Sequence, residues 1–298
     1  MSIRIDTITR GRFGNKILQY NSLVQIANNN NIKSSCCEWE GNKFFKKLVS
    51  HVETKKVKKM LFCKSILDDN KLDFQNFDYC IDDPAYCLHN VFYKITNKDP
   101  RYFLELKDEF KSKLNDNILY IGIHFRGGDV IPADNGKEVH EFEYYKDSID
   151  FVVNNLINKE YIFILCTDDH NFHSFTKTID YLKEKNYNFK FGDATRNKNN
   201  HYILDWSVLS ECDILINTSS TFCVTAGFLG KKDKYIIHSK KWIERNQKHE
   251  AWNANGENIM NMLEHNIKTK DYWKYYDNFW IEVSKCNTNN YYYCNKLI

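Results

Sequence analysis

Ile3 and Ile5 alternate with polar neighbours and predict a short strand at the head of the chain. The loop Thr9 to Asn15 follows, reading TRGRFGN. A helix is expected from about Lys16, because Ile17, Tyr20, Leu23 or Val24, and Ala27 fall on one face. The polar run Asn28 to Asn31 ends it, and 32–37 reads as a second strand, so the opening is a β-loop-α-β unit. Residues 40–115 mix Lys-rich and aromatic pieces without clear periodicity. From Ile118 the pattern sharpens. Apolar runs at 118–125, 161–165, 188–191, 213–216 and 235–238 predict strands. Helical spacing at 143–157, 171–184, 203–211 and 221–228 separates them. Strands alternating with helices imply a parallel sheet covered on both faces, an α/β fold. Ligands of such sheets bind beyond the carboxyl ends of the strands. The loops after Phe125, Leu165 and Ile216 open on that edge.

Composition narrows the class. The 298 residues are 42% hydrophobic and 27% charged, enough for one large or two medium cores. No run of about 18 apolar residues exists, so no membrane span is expected. MSIRIDTITR lacks the charged-then-apolar-then-small order of a secretory leader. A net charge of +3 is too balanced to argue for nucleic acid, despite the abundance of Lys and Tyr. The ten cysteines form no C-x-x-C pair. Cys166, Cys212 and Cys223 sit in apolar contexts and read as small buried hydrophobes. A reducing, cytoplasmic setting is therefore expected.

The candidate chemistry lies in the strand-end loops. ILYIGIHFRGGD, 118–129, is an apolar run that ends in His124, Arg126, two glycines and Asp129. A guanidinium presents a planar fork of donors that matches phosphate oxygens, and glycines let a ligand approach the backbone. Cys166-Thr167-Asp168-Asp169 follows the next strand. Asn217-Thr218-Ser219-Ser220-Thr221 follows the third and runs into a helix, offering hydroxyls and N–H groups to an anion. The same residues also suit simple N-capping by Ser220 or Thr221. Asp205 opens a helix, where it serves either as a cap or as an acceptor for guanine N1–H and the amino group. Gly11 and Gly14 have the spacing for a close backbone approach, yet form neither G-x-G-x-x-G nor a P-loop. His170 and His173 have a metal-like spacing without a third ligand and read as surface histidines.

These segments carry a resemblance. GRFGNKILQY, 11–20, resembles the G-x-x-G-N-Q-x-x-Q-Y opening of the α-1,2-fucosyltransferases of glycosyltransferase family 11. HFRGGD, 124–129, resembles the H-x-R-x-G-D element of the wider α-1,2, α-1,6 and protein O-fucosyltransferase group. CTDD, 166–169, is similar to that group's (S/T)-D-D. DWSVLSECDILINTSSTFCVTAGFLG, 205–230, is similar to its third block. Residues 40–115 and 240–298 carry no motif of the group.

The resemblance implies a GT-B fold: two Rossmann-like domains with a cleft between them. The chain divides into 1–115 on the acceptor side, 116–270 binding the nucleotide sugar, and a tail, 271–298, that packs back on the first domain. The implied activity is an inverting, metal-independent transfer of fucose from GDP-fucose to a glycan hydroxyl, with no cofactor besides the donor substrate. Arg126 and Asp129 are the implied catalytic residues, Arg126 stabilising the leaving GDP. Gly14, Asn15, His124, Arg126, Asp168, Asp205, Ser219, Ser220 and Thr221 are the implied donor-binding set. Asp129, Asp134 and Glu138 are the general-base candidates, because an inverting transfer needs an acceptor for the hydroxyl proton. No D-x-D occurs in the chain, so charge on a departing diphosphate must be met by Arg and N–H groups. Four positions depart from the pattern: Gly127 where many relatives have a second Arg, Lys16 for Gln, and Cys223 and Val224 in the third block. Gly127 and the altered third block motivate one alternative, the same fold with another nucleotide-sugar donor; an alternative from another class is a non-catalytic sugar-nucleotide or glycan binder.

Overall fold

The structure is a computed structural model that describes residues 2–6, 8, 11–50, 57–61, 78–82, 100–128, 139–157, 159–218, 220–231, 234–239, 281–284 and 291–295. The chain forms two compact units, Met1–Lys107 with Gln247–Asn278 and Asp108–Asn246 with Phe279–Ile298. Each is built on a parallel sheet, so the α/β class and the two-unit organisation expected of a GT-B type chain are present.

The first unit opens with β1 (Ser2–Ile5), α1 (Phe13–Asn29) and β2 (Lys33–Cys36). After α2 (Gly41–Phe44) and β3 (Phe45–Lys46) come β4 (Val57–Leu61), β5 (Asp78–Asp82) and β6 (Glu105–Leu106). The sheet order is β2-β1-β5-β4, all parallel, while β3 and β6 pair antiparallel beside it. α1 starts three residues earlier than its apolar spacing suggested. Gly11 turns the chain at φ +78°, and Phe13 packs between Phe44 and Phe45. Those ring contacts fix the first turn against the core before the periodic face begins.

The second unit holds β7 (Leu119–Phe125), α3 (Phe142–Asn155), β8 (Tyr161–Thr167), α4 (His173–Glu184), β9 (Phe189–Phe191), α5 (Asp193–Arg196), α6 (Ile203–Glu211), β10 (Ile214–Asn217), α7 (Thr221–Leu229), β11 (Tyr235–Ser239), β12 (Ile281–Ser284) and β13 (Tyr291–Asn295). The sheet order is β12-β13-β11-β10-β7-β8-β9. The five strands from β11 to the β9 edge are parallel. The chain walks from β7 to β8 to β9, then crosses to the far side of β7 for β10 and β11. In the order of these five strands that is 3-2-1-4-5, the doubly wound arrangement with its switch point between β7 and β10.

β7 is buried on both faces because it has strands on both sides and helices above and below, which explains its unbroken apolar run. Ile121, Ile123 and Phe125 point into one core with Tyr145, Ile149, Val152, Phe163, Phe175 and Leu182. Gly122 and His124 take the opposite face by the two-residue period of a strand. A Cβ on Gly122 would lie 2.9 Å from Leu209 and 3.0 Å from Cys212, so glycine here lets α6 pack directly on the strand.

The tail departs from the expectation. Residues 281–284 and 291–295 do not return to the first unit. β13 pairs antiparallel with β11, Ile237 opposite Tyr293 and Ser239 opposite Tyr291, and β12 adds outside it. The Tyr-Tyr-Tyr-Cys run is thus a strand, in line with the β preference of aromatic side chains. Among the described residues no helix is long and apolar enough to cross a membrane.

Candidate functional site

At the switch point, β7 and β10 release their chains in opposite directions from adjacent carboxyl ends. Arg126 continues the parity of Gly122 and His124, which brings its side chain to the side where α7 begins. Its Nη1 donates to Ser220 Oγ at 3.1 Å. Ser220 is the N-cap residue of α7 with extended backbone, φ −139° and ψ 122°, and its hydroxyl makes no capping bond to the helix. The first α-helical bond here is Val224 N–H to Ser220 C=O at 3.0 Å. Thr221, Phe222 and Cys223 therefore present first-turn N–H groups that have no partner within the helix. A guanidinium, the Ser220 hydroxyl and the positive end of a nine-residue helix converge on one spot.

His124 is 6% exposed, and its Nδ1 lies 2.9 Å from Thr218 Oγ1, joining the ends of β7 and β10. Its ring sits 5.4 Å from Phe222. Tyr144, buried on α3, donates its hydroxyl proton to the Asn217 carbonyl at 2.5 Å. Burial holds that phenol well above its ordinary pKa, so it remains a donor. The Asn217–Ser220 turn is thereby held from both sides.

The Arg126 loop is gripped by the next loop. Gly127 N–H and Gly128 N–H both donate to Asp168 Oδ1, each at 3.2 Å. A Cβ on Gly127 would stand 2.7 Å from Phe172 Cγ. The glycine in the place of a second arginine thus follows from packing, since the Phe172 ring occupies the space a side chain needs.

Asp205 sits elsewhere. Its carboxylate is 5% exposed and accepts from Ala194 N–H at 2.7 Å, Thr195 N–H at 2.9 Å and Thr195 Oγ–H at 2.6 Å. It anchors the start of α5 beside Cys166. A Cβ on Gly192 would come within 2.5 Å of its Oδ1 and 2.6 Å of Cys166 Sγ. Burial raises its pKa, against the three hydrogen bonds that lower it. Thr195 Oγ1 also accepts from Thr167 N–H at 2.8 Å, which ties this network to the end of β8.

Of the sequence-predicted residues, His124, Arg126, Asp168, Ser220 and Thr221 lie at the carboxyl edge of this one sheet. Gly14 and Asn15 belong to the first unit, in the first turn of α1. Asn15 folds toward Gly11, where a Cβ would lie 2.4 Å from its Nδ2, and its Oδ1 is buried with no hydrogen-bond partner among the described residues. Lys16 pairs with Glu40 at 2.9 Å, which gives that departure a local structural reason. Asp129, Asp134, Glu138 and Ser219 fall outside the described residues. Thr218, Tyr144 and Phe172 were missed. Thr218 stands inside the loop already singled out, whereas Tyr144 and Phe172 carry no signal beyond helical spacing and apolarity.

Among the described residues no three His, Cys, Asp or Glu side chains group as a metal site. His173 is exposed, and His170 packs edge-on against Phe175 at 5.9 Å.

No protein-family model matches the chain, and no curated protein matches it. Solved structures similar to it include NodZ α-1,6-fucosyltransferase soaked with GDP-fucose, at 14% identity, covering 80% of this chain and 94% of that one, with a TM-score of 0.48. Fucosyltransferase NodZ from Bradyrhizobium gives 15% identity, 79% and 95% coverage and a TM-score of 0.48. An Arabidopsis thaliana FUT1 mutant in complex with GDP gives 12%, 80%, 69% and 0.48.

Proposed function

We propose that the chain is an inverting, metal-independent glycosyltransferase that takes a nucleoside-diphosphate sugar at the β7–β10 switch point, with GDP-fucose as donor and a glycan hydroxyl as acceptor. The observation that carries the reading is Arg126 held 3.1 Å from Ser220 at the N-terminus of α7, at the one place where a doubly wound sheet opens a crevice. The ordered motifs from Gly11 to Gly230 support the fucosyl donor.

Arg126 binds the diphosphate and meets the charge that grows as the anomeric C–O bond breaks. The hydroxyls of Ser220 and Thr221 and the first N–H groups of α7 meet the rest. Preorganised donors of this kind need no reorganisation during the step. Glycosyl transfer passes through an oxocarbenium-like state, so stabilising the leaving group weighs heavily. The acceptor oxygen attacks the opposite face, GDP departs, and the hydroxyl proton passes to a base, for which Asp129, Asp134 and Glu138 are the candidates. Asp205 has three donors on its carboxylate, so we assign it to holding α5 and not to reading guanine.

The test is product formation, or slow donor hydrolysis, from GDP-fucose with EDTA present. Turnover that survives chelation supports the mechanism. Activity lost to EDTA and restored by Mn²⁺ contradicts it. Activity with a UDP-sugar and none with GDP-fucose would move the donor while leaving the phosphate site in place.

A further inference from the structure

We infer that Asp168 is the positioning residue of Arg126, the group that fixes where the guanidinium stands. This rests on the reading of Arg126 as a diphosphate ligand. The resemblance placed Asp168 among the donor-binding residues, but its geometry has another meaning. Two successive backbone N–H groups converging on one point form a concavity for an anion. Those of Gly127 and Gly128 converge at 3.2 Å each on one oxygen, and that oxygen belongs to Asp168. The loop's own anion position is thus filled by the protein.

Neighbouring residues make this a built seat. Asp168 follows β8, whose last pair, Phe125 opposite Thr167, brings the ends of the two parallel strands level. Thr167 Oγ–H donates to the Asp169 carbonyl at 3.0 Å and accepts Asp169 N–H at 3.1 Å; Asp169 Oδ1 accepts Asn171 N–H at 2.9 Å. The turn that carries Asp168 is therefore ordered by its own hydrogen bonds. On the other side of the same turn, Phe172 is buried and packs against Gly127. One carboxylate oxygen and one ring hold the two residues that immediately follow Arg126. A backbone fixed at 127–128 restricts the φ/ψ freedom through which Arg126 could swing away from Ser220.

The sign of the effect separates positioning from simple proximity. A carboxylate near a bound diphosphate repels it, so deleting Asp168 should tighten GDP binding if the residue only contributes charge. If it positions Arg126, deletion should weaken binding in spite of the lost repulsion.

Two measurements on the full chain decide it. In hydrogen-exchange mass spectrometry, Asp168→Ala should speed exchange in the peptide carrying Gly127 and Gly128 by roughly ten-fold, while Asp168→Asn, which keeps an acceptor oxygen, should stay near wild type. In GDP calorimetry, Asp168→Ala should weaken binding about ten-fold, Asp168→Asn should bring it back to within about three-fold, and Asp168→Ala added to Arg126→Ala should change it less than about two-fold. Unchanged exchange in Asp168→Ala, or tighter GDP binding, overturns the inference. Should the wild type bind no GDP, the diphosphate reading falls, and the exchange order alone still decides whether Asp168 holds the loop.

Discussion

We read Asp205 as a carboxylate that serves the fold. At the head of an α/β helix an acid suits a base-recognition role, but here two backbone N–H groups and one hydroxyl already use it. Asp205→Ala would leave those donors without an acceptor, at a cost of about 3 kcal/mol in unfolding free energy, and should leave any preference between GDP and UDP unchanged. Its pKa is raised in the fold, chiefly by burial. The folded carboxyl then holds its proton more tightly than the unfolded one. This residue's contribution should therefore favour folding most in acid and decline as pH rises from the ordinary Asp range through the raised value. Denaturant midpoints across that window should fall more with rising pH, or rise less, in the wild type than in Asp205→Asn. The cysteines make a second case at this scale. Burial raises the thiols of Cys36, Cys166 and Cys223, and takes Cys212 to about 12. Native protein treated with iodoacetamide at pH 8 should keep all four unmodified, and denatured protein should lose them. Rapid native alkylation of Cys212 would contradict the packing of α6 on β7.

At the scale of elements, the part of the second unit from β7 to β11 was legible because apolar runs alternate with helical segments: α3 and α4 carry one apolar face, and α6 and α7 are apolar almost all round. The helix at 203–211 matches its predicted bounds, and the strand at 118–125 is one residue shorter in the fold. Arg126 and Ser220 were legible as a pair for the same reason, since both stand where an apolar run stops on one predicted edge. The contacts that hold them were not. Nothing in the spacing of Asp168 and Gly127 says that a carboxylate 41 residues away caps the loop, because that depends on the register of β7 against β8. The tail was misread because a tyrosine run without alternation gives no partner, whereas pairing with β11 is a tertiary choice. Gly230 is a comparable hidden constraint. A Cβ there would lie 1.6 Å from the Ser210 carbonyl oxygen, which also accepts Lys231 N–H at 2.8 Å and buried Lys234 Nζ at 2.5 Å. Gly230→Ala should force the ends of α6 and α7 apart and cost about 3 kcal/mol in a thermal or urea melt. A neutral substitution would mean that this junction is looser than its geometry.

At the scale of the whole molecule, the doubly wound sheet and its switch point belong to the second unit. The claim on which the functional account stands is that the switch point binds a nucleoside diphosphate through Arg126. Isothermal calorimetry of GDP against the wild type and Arg126→Ala, with circular dichroism confirming equal folding, tests it directly. The wild type should bind GDP, and Arg126→Ala should lose roughly two orders of magnitude, about 2.7 kcal/mol, with Arg126→Lys recovering little because an ammonium lacks the planar fork. GDP bound with equal affinity by folded wild type and Arg126→Ala would contradict it.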